Sequence, residues 1–106
     1  MLKFMRIEII TSIDRQQTLL LLSDVISAND GWIVSHQLFS NMAASLAFEI
    51  PLPGVEKFLE SLTVAGFTPR IEGEVPSGSK GDVRGNIAIT FIHEESDLKR
   101  DVSAFG

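Results

Sequence analysis

The chain has 106 residues, a formal charge of −5, and apolar and charged fractions of 44% and 22%; this is one domain with a single core, and those fractions exclude a disordered chain. It contains no cysteine, which excludes disulfides, thiolate metal sites and cysteine nucleophiles and fits a reducing, cytoplasmic setting. Its nine Lys and Arg are scattered, so no basic stripe would displace phosphate counterions, and no apolar run approaches the roughly 18 residues of a membrane span; neither nucleic acid nor a membrane is an expected partner.

Phe4 to Ser12 alternates, with Phe4, Arg6, Glu8 and Ile10 on one face and Met5, Ile7, Ile9 and Thr11 on the other, the pattern of a strand covered on one side. Asp14, three residues before Gln17, then makes a capping-box start for a helix over Arg15 to Asn29. Leu19, Leu22, Val25 and Ile26 fall at helical spacing, and Asn29-Asp30-Gly31 stops the helix. A second strand, Trp32 to Phe39, places Trp32, Val34, His36 and Leu38 on one face and Ile33, Ser35, Gln37 and Phe39 on the other. It reverses at Ser40-Asn41.

The third strand, Met42 to Ile50, sets Met42, Ala44, Leu46, Phe48 and Ile50 against Ala43, Ser45, Ala47 and Glu49. Pro51 and Pro53 end it and open a helix with Val55, Phe58, Leu59 and Leu62 on one stripe, closed by Gly66. Thr68 to Val75 reads as a fourth strand, residues 73–85 as a mobile loop, and Asn86 to His93 as a fifth strand. Residues 94–106 form a charged tail beyond a single domain spanning 1–93.

These elements spell strand, helix, strand twice over. They predict an α+β, ferredoxin-like βαββαβ fold: an antiparallel sheet, two helices on one face, and an extra C-terminal strand. The second face would carry Ser35, Gln37, Ser45 and Glu49 together with Ile33, Phe39, Ala43 and Ala47. That is more apolar than a solvated face requires, and a partner surface explains it.

The run Gly31-Trp32-Ile33-Val34-Ser35-His36, followed by a second alternating strand and preceded by Asp14 ahead of the first helix, resembles the ACT-domain family, in particular the glycine cleavage system repressor type. The resemblance covers Phe4 to Glu72. It implies a homodimeric, non-catalytic regulatory module that senses an amino acid or similar small metabolite at the subunit interface, with no cofactor. In that family an aspartate followed by a glycine marks the turn after the first strand. Here Asp14 is kept and Arg15 stands where the glycine would be.

The candidate ligand-binding residues are therefore Ser12, Asp14, Arg15, Ser35 and His36, and each has a plainer reading beside the functional one. Asp14 contacts a ligand amine or simply caps the helix. Arg15 clamps a ligand carboxylate or is a solvated first-turn residue. His36 is a polar handle at an interface or simply a structural histidine of the sheet, with no metal-ligand spacing to His93 or to Glu94-Glu95. Gly78-Ser79-Lys80-Gly81 lacks the order of a phosphate loop, and no serine lies in a GxSxG elbow, so no catalytic or metal site is expected. The alternative to a sensor is a ferredoxin-like protein-association domain with no small ligand.

Overall fold

A computed structural model describes residues 2–92; the expected tail 94–106 and His93 with Glu94-Glu95 lie outside them. In chain order the elements are β1 (Lys3–Thr11), α1 (Arg15–Ala28), β2 (Trp32–Ser40), β3 (Ala43–Pro51), a single 3₁₀ turn at Leu52–Gly54, α2 (Val55–Val64), β4 (Arg70–Glu72) and β5 (Asp82–Phe91). The result is an α+β fold with one five-stranded sheet in the order β2-β3-β5-β1-β4. It is compatible with a ferredoxin-like class.

The sheet is mixed, not antiparallel throughout. β5 lies in the centre, parallel to β1 from Lys3↔Val83 to Thr11↔Phe91 and antiparallel to β3. Parallel neighbours need a crossover. Here β4 descends along the outer side of β1, and the Gly73–Gly81 connection then passes the start of β1 to enter the slot beside β3. Lys3 Nζ donates to Ser77 O at 3.2 Å and Leu52 N donates to Gly81 O at 2.9 Å, which ties that connection down. The expected 73–85 loop is thus shorter, because residues 82–85 belong to β5. Gly85 is required there by packing: a Cβ would run into the Phe48 ring.

The core sits between one sheet face and the two helices. Met5, Ile7, Ile9, Leu46, Phe48, Ile50, Val83, Ile87 and Ile89 meet Leu22, Val25 and Ile26 of α1 and Val55, Phe58 and Leu62 of α2. The rings of Phe48 and Phe58 stand 5.0 Å apart at 37°, a favourable tilted contact. Thr18, not Leu19, fills the buried position at the start of α1. Its Oγ1 donates to Ile13 O at 3.3 Å, which offsets the burial of its hydroxyl.

Two local departures change which side chains face where. A bulge in β2 between Ile33 and Ser35 pairs Ile33 with Phe48 and His36 with Leu46, on the helix side, while Trp32, Ser35 and Gln37 pair with Glu49, Ala47 and Ser45. The period of two is broken at Val34, so Trp32 joins the open face and Ile33 leaves it. β4 is only three residues long. On the open face Arg84 Nε donates to Glu49 Oε2 at 2.8 Å, and Phe4 and Ile10 are exposed.

Candidate functional site

β1 ends at buried Thr11, whose Oγ1 accepts from Ile13 N at 3.1 Å and turns the chain sharply toward α1. Asp14 is the N-cap: its Oδ2 accepts from Gln16 N at 3.0 Å and Gln17 N at 3.2 Å, which satisfies two orphan donors of the first turn. Ile92 N donates to Thr11 O at 2.9 Å and Phe91 N to Met42 O at 2.8 Å. These bonds draw the β1–α1 turn, the end of β5 and the β2–β3 turn to one end of the sheet. Between them lies a cleft of about 320 Å³ lined by Ser12, Ile13, Asp14, Arg15, Gln16, Asn41, Phe91 and Ile92.

The lining is divided in its chemistry. Both cap bonds use Asp14 Oδ2, so Oδ1 keeps its acceptor capacity. Arg15 is exposed, and among the described residues it has no ion-pair partner. Ser12, Gln16 and Asn41 add neutral polar groups, while Ile13, Phe91 and Ile92 give an apolar wall. An anionic and a cationic group one residue apart, beside an apolar surface, suit a small zwitterion with a hydrocarbon part. The volume is at the low end for ligand sites, which disfavours anything the size of a nucleotide.

Of the expected site residues, Ser12, Asp14 and Arg15 come together in this cleft, and Ser35 and His36 do not line it. Both sit on β2, which β3 and β5 separate from β1 by three strand spacings, about 14 Å. Ser35 opens on the free sheet face opposite Ala47, and His36 on the helix side opposite Leu46. Sequence reasoning missed Asn41, Phe91 and Ile92 as cleft residues. Asn41 carried only a turn signal, and the other two reach the cleft because β5 is central. Gly78-Ser79-Lys80-Gly81 belongs to the connection into strand β5 and itself opens no helix. Among the described residues no three His, Asp or Glu side chains are grouped to hold a metal ion, and no helix is long and apolar enough to cross a membrane.

No family model, curated protein or solved structure matches this chain. The functional reading therefore rests on the cleft itself.

Proposed function

We propose that this chain is a non-catalytic, ACT-like regulatory module that binds an amino acid or similarly small zwitterion at the β1–α1 turn and works as a homodimer. The observation that carries this reading is the convergence of Ser12, Asp14 and Arg15 on one cleft with an apolar wall. Arg15 would take the carboxylate in a two-pronged contact. Asp14 Oδ1 would take the ammonium group, and Ile13 and Phe91 would cover the side chain. The cap bonds on Oδ2 hold the Asp14 carboxylate in place before a ligand arrives, so little ordering would be lost on binding.

Thermal melting against the individual amino acids tests it, since a ligand at 100 times its Kd adds about 2.7 kcal/mol of stability. The expected result is a shift with a narrow subset of them. Arg15→Ala removes that shift and leaves the unliganded melt nearly unchanged, because the exposed guanidinium supports nothing else among the described residues. A screen with no shift at all moves the reading to the alternative, a protein-association domain without a small ligand. That second reading is favoured by the exposed apolar residues of the sheet, Phe4, Ile10, Trp32 and Phe39 among them.

A further inference from the structure

A second cavity lies on the sheet face that the helices leave open, near the start of β1 and β5. The two strands run parallel and in register there, with Phe4 beside Arg84 and Arg6 beside Asn86, so these four side chains stand on one face as a two-by-two block. Ala47 of β3, opposite Asn86, is too short to fill the space next to them. The depression that these five residues line holds about 470 Å³.

Its polar groups are partly set in place. Arg84 Nε, at 2.8 Å, and Nη2 both donate to Glu49 Oε2, which fixes the guanidinium plane and leaves Nη1 with its donors unused among the described residues. Arg6 is held less firmly, because its Nε lies 3.8 Å from Glu72 Oε1, beyond hydrogen-bond length. Asn86 is half-buried and adds amide donors. Phe4, in the same block, is 72% exposed, and a ring left so open gains from a flat apolar cover.

Charge and shape together select the ligand. Glu49 already offsets Arg84, whereas the Arg6 pair is exposed and screened. One cation is therefore left to answer, which matches a carboxylate better than a doubly charged phosphate. No Asp or Glu lines the depression among the described residues, so nothing there receives an ammonium group. We infer that this depression binds a small aryl carboxylate lacking an amino group, gripped by Arg6, Arg84 Nη1 and Asn86, with its ring against Phe4. Arg6 is five residues before Thr11 on β1, roughly 16 Å from the turn cleft. The two sites can fail separately.

Calorimetric titration of the full chain with hydrocinnamate, which is phenylalanine without its amino group, tests the assignment. Saturable binding is expected, weakened by salt and lost with the neutral hydrocinnamide. Arg15→Ala, which disables the turn cleft, binds hydrocinnamate as the wild type does and binds phenylalanine about tenfold more weakly than hydrocinnamate. Arg6→Gln and Phe4→Ala change exposed positions; each weakens hydrocinnamate about tenfold, while circular dichroism shows both folded like the wild type. Four results overturn the proposal: no saturable binding, equal binding of hydrocinnamide or phenylalanine, Arg6→Gln and Phe4→Ala titrating like the wild type, or loss of hydrocinnamate binding in Arg15→Ala. Phenyl phosphate binding more tightly than hydrocinnamate overturns the charge argument, and the choice of ligand with it.

Discussion

The two edges of this sheet end differently. β4, at one side, is three residues long, follows Pro69, and gives way at Gly73, whose φ of 77° takes the chain out of the sheet. Two of its three residues are charged, with Glu72 opposite Arg6 and Arg70 opposite Glu8. β2, at the other side, is three times as long and carries no charge. Its bulges, at Val34 and Phe39, bend it without shortening it. A guarded edge is closed by making a new strand unwelcome. An unguarded one of this length leaves its backbone donors and acceptors open to another strand. The contrast teaches that the polarity of an edge, and not only of a face, records where a sheet is meant to stop.

Phe58→Ala probes whether that contrast belongs to the strands or to the layer beneath them. Phe58 is fully buried against Phe48, and truncation of such a residue costs about 3–5 kcal/mol, read as a lower midpoint in denaturant melts. The folded fraction should still dimerise as the wild type does. If dimer affinity falls in step with stability, the helix layer takes part in the interface and the contrast between edges loses its meaning. Next in size is the removal of the guard itself. Arg70→Val with Glu72→Val turns β4 into a second apolar edge, and copies joined at both edges no longer form a closed pair. Light scattering should then show growth beyond the wild-type mass with rising concentration. A variant that stops at the wild-type mass would mean that the shortness of β4, not its charge, does the guarding.

Much of this was readable in the sequence wherever a period speaks for itself. The alternations of β1 and β3 and the stripe Val55, Phe58 and Leu62 name the buried face directly, and Asp14 and Arg15 are neighbours in the chain as well as in the cleft. A period of two tells which face a residue takes but not which strand lies beside it. The central place of β5, and with it Phe91 and Ile92 in the cleft, was therefore hidden. The glycine at position 85 reads as loop until the Phe48 ring is seen to need its space. One bulge at Val34 suffices to move Trp32 onto the open face and Ile33 off it, and a bulge has no fixed residue signature.

Arg6→Ala has the smallest expected effect and separates two meanings of a charged edge. Arg6 Nε lies 3.8 Å from Glu72 Oε1, and both side chains are more than half exposed, at 73% and 56%. Such a pair contributes no more than about 0.5 kcal/mol, because water screens it and two long side chains lose freedom to form it. Denaturant melts of Arg6→Ala should nearly overlay those of the wild type, and its mass in solution should match the wild type's, since Arg70 and Glu72 still stand on β4. The charges at that edge would then act by what they cost an incoming strand, not by what they add to the fold. A loss well above 1 kcal/mol would reverse this, making the ion pair the fastening of a strand too short to hold itself by its ladder.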